Sequence, residues 1–426
     1  MAIEGLVVLV GLLVFAAHFF DWVFSHTAVP DALLLMLVGI VLGPVLGAVP
    51  SDFFGVSGAV ILAAALVIML FDAGTRLDLG TLRAAARGAL TLTVGSMVLA
   101  ASGAAGLLYW LTDLSGAVAV IAGVLVSGVT SGVVLALLSQ LQVSERVQTI
   151  LTLEATMTDV LVLAVVLALL EAYVAGNFAV SALAWSVVTA MLAAAAIGFL
   201  VGVVWTNLLD TIRHLQNSLF VTAAAAFVLY GVLELMGLSG FIAVLTFGVT
   251  VGSVGAFNHY LAGRHRWLQF VLRPRALSRR ERAFFGELVF LLQTFFFVYI
   301  GLSMQFASLY IVSLALAAAI VLLLLRFVAV RMGLPRDISV REASLAAVLI
   351  PKGFSPAVLV ILLVQRDIPG ALLVQEFTTA LIFWSISVTS LFIFLIQRTA
   401  VGGLYGRLLR GFGTEPLLSE VPVAEG

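Results

Sequence analysis

The sequence predicts an all-α integral membrane protein with thirteen transmembrane helices. Three observations carry that prediction: the composition, the recurrence of long apolar runs and the placement of arginine. Of 426 residues, 63% are hydrophobic and only 10% are charged, and the mean hydropathy is +1.22, outside the range of soluble domains. A bilayer core about 30 Å thick takes roughly 20 apolar residues per spanning helix. Such runs occupy 2–24, 31–49, 55–74, 88–110, 115–138, 148–171, 178–205, 218–236, 238–252, 284–304, 306–330, 342–364 and 372–397. Cysteine is absent, which excludes disulfides, thiol chemistry and cysteine-ligated metals.

Taken in order, the first run lacks a basic n-region and an A-x-A-like cleavage site, so it is read as a retained helix. With the amino terminus outside, the connections after helices 3, 5, 7, 9 and 11 and the tail after helix 13 face the cytoplasm. Those segments hold Arg76, Arg83 and Arg87; Arg146; Arg213; Arg264 to Arg282; Arg331, Arg336 and Arg341; and Arg398, Arg407 and Arg410. Only Arg366 lies in an outside connection, so the positive-inside rule supports both the helix count and the orientation. The basic connection 253–283 reads as a solvated cytoplasmic loop, with an anionic-lipid site as the alternative. The organisation expected is one membrane domain over 1–410 and a short acidic, disordered cytoplasmic tail over 411–426.

The middle elements repeat. Helix 2 carries GIVLGPVLG (39–47) and helix 9 carries GVTVGSVG (248–255); helix 3 ends FDAGTRLDL (71–79) and helix 10 ends VYIGLSMQF (298–306). Both pairs lie seven helices apart, and an odd offset means that the two copies thread the membrane in opposite directions. That is the pattern of an inverted repeat and of secondary transporters. The same offset links SGVTSGVV (127–134) in helix 5 to IPKGFSPAV (350–358) in helix 12, each with glycine, serine or proline in mid-span. Broken helices are expected there, since freed backbone groups are tolerated in a membrane only against protein or a cavity.

Charge inside the spans is the functional signal. An ionised side chain at a helix centre costs about 2.5–3.5 kcal/mol even on the lenient insertion scale, yet the runs contain Asp72, Glu154, Asp159, Arg326 and Lys352, the only lysine. In LTLEATMTDVLV (151–162), helical geometry puts Thr152, Thr156 and Asp159 on one side and Glu154 with Thr158 roughly 120° around. The two acids therefore have separate tasks. Asp159, with its hydroxyl neighbours, faces an ion site, and Glu154 faces a basic partner on another helix. Thr130, Asp159 and Lys352 all fall near the midplane, and Lys352 is expected to balance the carbonyl ends of broken helices. Plainer roles exist for each: a neutral hydrogen-bonded Asp159, a purely structural Glu154, an Arg326 that snorkels to the headgroups, an Asp72 that opens the next loop. The five histidines form no ligand spacing and are read as structural.

Across nearly its whole length the chain resembles the monovalent cation/proton antiporters, closest to the NhaP-like branch. The resemblance is carried by LLLMLVGIVLGPVLG, IMLFDAGTRLDL, LEATMTDVLVL, GLSGFIAVLTFGVTVG, FFFVYIGLSM, LLLLRFVAV and IPKGFSPAV. The family's E-x-x-x-N-D motif falls on Glu154, Thr158 and Asp159. Its basic residue in helix 11, which pairs with the glutamate, falls on Arg326, its Arg-Gly in helix 12 on Lys352 and Gly353, and its assisting acid in helix 3 on Asp72. Three positions depart from the pattern. Thr158 stands for asparagine, Ala155 for serine, and Val129, Thr130 and Ser131 for Thr-Asp-Pro; that last stretch, TSGVV, looks more like the Ser-Thr-Ala-Val-Val of the Kef and NapA relatives.

The resemblance implies a homodimeric transporter, not an enzyme, with two crossed broken helices and no cofactor, exchanging a monovalent cation for protons in the inner (plasma) membrane and so serving pH homeostasis. Na⁺ is the expected ion and K⁺ the alternative; a cation channel or sensor on the same scaffold is the rival class. Geometry and resemblance together give the expected ion site: Asp159 as shared carrier with Asp72, Thr130 and Thr156, supported by Glu154, Arg326, Thr158, Ser131 and Lys352. Membrane lipids are the other expected partner, and nucleic acid is not one.

Overall fold

In the computed structural model the described residues are 3–27, 30–48, 55–76, 79–141, 143–174, 176, 180–213, 219–253, 277–304, 308–398, 408–409 and 411–413. They are helical throughout apart from turns and one isolated bridge. The helices are α1 (Ile3–Thr27), α2 (Asp31–Ile40, continued by a π turn Val41–Val45 around Pro44), α3 (Gly55–Arg76), α4 (Leu79–Leu111), α5 (Gly116–Leu125), α6 (Ser131–Gln140), α7 (Glu145–Val174), α8 (Val180–Arg213), α9 (Leu219–Leu235), α10 (Gly240–Gly252), α11 (Arg279–Ser303), α12 (Leu309–Gly333), α13 (Val340–Val348), α14 (Phe354–Gln365) and α15 (Ala371–Arg398). Each apolar run coincides with a helix or a helix pair, the runs 115–138 and 342–364 being the two divided ones. Six described helices are long and apolar enough to cross a membrane by length and composition: Ala89–Leu111, Glu145–Val174, Leu192–Leu209, Arg279–Leu302, Leu309–Gly333 and Ala371–Gln397. Most of the basic connection, 254–276, and residues 414–426 of the expected tail lie outside the described residues.

The chain forms two compact units. One comprises Met1–Val49, Arg87–Leu163 and Phe297–Gly426; the other Pro50–Ala86 and Ala164–Phe296. In the second unit α10 packs on α8 and α3, around Phe71, whose ring lies 5.0 Å from that of Phe247 and 4.9 Å from that of Phe285.

The first unit holds both breaks, and its hydrogen bonds explain how they persist in an apolar setting. Pro351 has no N–H and disfavours helix at Ile350, so α13 stops. Its freed carbonyl accepts from Thr130 N in the other break, at 3.0 Å. Two hydroxyls of α15 take two donors of this break: Ile350 N donates to Thr389 Oγ1 at 3.3 Å and Lys352 N to Ser385 Oγ at 2.9 Å. Each break thus satisfies the backbone of the other or borrows from a neighbour, which buried peptide groups require. At one end of the unit, α7 and α13 are tied together. Ser339 and Glu342 form a capping box on α13, Glu342 Oε1 also accepts from Ser144 N at 2.5 Å, and Arg146 pairs with Asp337. Of the expected tail, Gly413 joins this assembly, donating to Ile338 O at 2.8 Å and accepting from Val340 N at 3.1 Å.

Glycine contacts reproduce the repeat. Gly39 of α2 meets Gly301 of α11 with backbones so close that a Cβ on either would lie 2.9 Å from the other's Cα. Gly74 of α3 meets Gly248 of α10 in the same way, a Cβ on Gly74 lying 3.0 Å from Gly248 Cα. The sequence repeat equates Gly39 with Gly248 and Gly74 with Gly301, so the second contact is the image of the first. Helices can approach this closely only where side chains are lacking. Gly39→Leu and Gly74→Leu are each expected to lower stability by about 1–3 kcal/mol through overpacking, read as a fall in the unfolding midpoint in detergent. Gly11→Leu is the control, because nothing lies within 4 Å of a Cβ there.

Candidate functional site

The two breaks converge on α7. Asp159 is half-buried, and its oxygens are held from two sides: Oδ2 accepts from Ser131 N, the first peptide of α6, at 2.9 Å, and Oδ1 accepts from Ser355 Oγ in the first turn of α14 at 2.8 Å. Helix N-termini favour an anion, so the broken ends suit a carboxylate at this point. The C-terminal end of α5 is matched by the opposite charge. Lys352, 2% exposed, donates through Nζ to Ser127 O at 3.1 Å and to Gly128 O at 2.7 Å. Opposite charges therefore sit on opposite helix ends within one break.

Thr158 supports the arrangement from α7. Its hydroxyl donates to Ala155 O at 3.0 Å and accepts from Val129 N at 3.3 Å, so it fastens the first break to the helix that carries Asp159. Thr130, 5% exposed, lies beside Gly353, where an added Cβ would come 2.8 Å from the Thr130 hydroxyl. That hydroxyl oxygen, with Thr378 Oγ1 and Trp384 Nε1, is among the buried side-chain polar atoms left without a partner in the described residues.

Glu154 faces a different neighbourhood. Arg326 of α12 grips it with two prongs, Nη1 on Oε1 and Nη2 on Oε2, the latter at 2.7 Å. Glu154 is 1% and Arg326 4% exposed, so the guanidinium turns inward and does not snorkel. Arg326 Nε also donates to Ala346 O of α13 at 3.1 Å, and Ser96 Oγ of α4 donates to Glu154 Oε1 at 2.9 Å. Between Arg326 and Lys352 lies a cavity of about 10 Å³ lined also by Ser96, Ala100, Ser127, Val129, Leu322 and Ile350, room for roughly one water.

Asp159, Ser131, Thr130, Thr158 and Lys352 are thus gathered at the breaks, while Glu154 and Arg326 form a separate pair. Thr156 gives its hydroxyl proton to Thr152 O of its own helix at 2.8 Å. Asp72 belongs to the second unit and pairs with Arg76 at 2.8 Å, one turn on. Sequence reasoning missed Ser355 and Ser96. Ser355 stood inside the quoted IPKGFSPAV, three residues beyond Lys352, where a hydroxyl in the first turn after a break was the available signal; Ser96 offered none.

An all-helical membrane fold with paired breaks around a mid-span acid defines a secondary transporter. The sodium/hydrogen exchanger transmembrane family model matches residues 9–398, and the chain belongs to that family. Its fold is that of the sodium proton antiporter MjNhaP1 from Methanocaldococcus jannaschii. The structure at pH 8 matches with a TM-score of 0.72 at 17% identity, covering 92% of this chain and 100% of that one. A second structure of the same antiporter, from an electron-microscopy map, matches with a TM-score of 0.67 at 19% identity, covering 98% and 100%. The family's members are transporters, not enzymes, and membership supports cation/proton antiport.

Proposed function

We propose that the protein exchanges Na⁺ for H⁺ by alternating access, with Asp159 as the shared carrier. One observation carries the reading: a single half-buried carboxylate held by Ser131 N and Ser355 Oγ where two broken helices meet. Asp159 binds a dehydrated cation or a proton, never both, and that exclusion couples the two fluxes. Thr130 and Thr156, with Asp72 as assisting acid, complete the cation ligands of this reading. Glu154, Arg326, Thr158, Ser131 and Lys352 support the geometry. The whole of 1–410 acts as one antiporter domain, working as a homodimer in the inner membrane with the amino terminus outside and the arginine-rich connections in the cytoplasm.

Exchange is electroneutral, one cation for one proton. Threonine at 158 cannot carry a proton, arginine at 326 does not release one, and Glu154 has both oxygens committed to Arg326. K⁺ is the second reading, because Thr158, Ala155 and the Val129–Thr130–Ser131 stretch stand where the NhaP pattern has other residues and so change the ligand set. The test uses sealed proteoliposomes with a pH-sensitive dye, given Na⁺, Li⁺ and K⁺ in turn. An antiporter moves protons when cation is added, whereas a channel passes the ion without driving protons. With ion gradients clamped, an imposed membrane potential is expected to leave the rate unchanged. Transport that follows the voltage overturns the single-carrier stoichiometry and points to Glu154 or Lys352 as a second proton site.

A further inference from the structure

The two oxygens of Asp159 are not equivalent. Oδ2 is taken by a backbone N–H at the start of α6. That group can only donate and is fixed by the helix that follows, so it offers no oxygen ligand to a cation. Oδ1 is taken by the Ser355 hydroxyl, which carries one donor and two acceptor lone pairs and rotates about its C–O bond. A hard monovalent cation is held by oxygen ligands, so it gains one wherever a partner of the carboxylate can change from donor to acceptor. At Oδ1 the Ser355 hydroxyl can do so, and the Ser131 hydroxyl also bonds the carboxylate.

From this asymmetry, and resting on the exchange reading above, we infer that Ser355 is a cation ligand and a determinant of ion selectivity. With neither ion bound, its hydroxyl donates to Asp159 Oδ1, the arrangement in the structure. With a cation bound, the hydroxyl turns and presents a lone pair to the ion beside Oδ1. With Asp159 protonated, the acid donates to Ser355 Oγ. One side chain thus serves all three states without backbone movement.

Two further observations fit a ligand there. Ser355 is half-buried, as Asp159 is, so neither is sealed within the side-chain core. Near the same break, beside Gly353, lies the Thr130 hydroxyl, buried and without a partner, as an oxygen reserved for a ligand would be. Ser355 sits on α14 and Thr130 on the approach to α6, so the spacing between the two broken ends would set the size of ion preferred.

The experiment compares the wild-type chain with Ser355→Ala and Ser355→Thr, by exchange in proteoliposomes and by the rise in melting temperature when Na⁺, Li⁺ or K⁺ is added to the detergent-solubilised protein. Loss of the hydroxyl is expected to raise the apparent KM by about fivefold or more, by unequal factors for the three ions, and to demand correspondingly more cation for the same thermal shift. Ser355→Thr is expected to recover most of both. Equal KM values in Ser355→Ala and wild type, or a threonine variant no better than alanine, overturns the inference while exchange itself stands. A wild-type chain that shows no exchange but whose cation-induced stabilisation depends on Ser355 overturns the exchange reading and leaves the ligand assignment intact.

Discussion

The Asp159→Asn protein is expected to fold and to carry no exchange. Asparagine has nearly the shape of aspartate, its carbonyl can accept from Ser131 N, and its amide can donate to Ser355 Oγ, so both bonds that Asp159 makes to the broken helices have replacements. What disappears is the charge. An amide neither binds a proton in the working pH range nor neutralises a dehydrated cation, and leaving that ion uncompensated in the membrane costs several kcal/mol. Glu154, the nearest acid on the same helix, is gripped by Arg326 and offers no substitute. Dye-quench exchange in proteoliposomes should fall to the level of empty vesicles while the melting temperature in detergent stays close to wild type. Exchange near the wild-type rate would sink the shared-carrier mechanism.

How much of this was legible beforehand differs by element. The helices were, because a bilayer demands long apolar runs and little else produces them. The breaks were, because proline and glycine in mid-span leave backbone groups that must find partners. The repeat was only half legible. Matching GIVLG to GVTVG says that Gly39 and Gly248 are equivalent, yet Gly39 touches Gly301 and Gly248 touches Gly74; sequence likeness identifies images, not neighbours.

Side-chain partners were least legible. Ser355 lies 196 residues from Asp159 and Ser96 58 residues from Glu154. A serine or threonine in an apolar helix usually bonds a carbonyl three or four residues back, as Thr93, Thr156 and Ser387 do. Nothing local separates a hydroxyl spent on its own helix from one offered to an acid across the bundle. Charges were easier, because a buried arginine must find an acid and the mid-span candidates were few.

Removing either member of the Glu154–Arg326 pair is expected to cost about 3–5 kcal/mol, and removing both to cost less than the sum. In Glu154→Gln the guanidinium of Arg326 keeps the Ala346 carbonyl but loses its counter-charge in a place that is 4% exposed. Arg326→Met leaves Glu154 with the Ser96 hydroxyl alone, a single neutral donor for a buried anion. The double variant buries no net charge and keeps the volume filled, so most of the penalty of the second substitution should vanish. The pair also has a structural reach beyond its two side chains. Glu154 lies five residues before Asp159 on α7, and Arg326 fastens α12 to α13 through Ala346, three residues before the break begins at Leu349. Either single variant should therefore weaken exchange as well as stability. Unfolding midpoints of the wild type, the two single variants and the double variant, measured in one detergent, give the coupling energy directly. Losses that simply add would mean that the two charges, though adjacent, do not stabilise one another, and the interhelical clamp would have to be sought in packing.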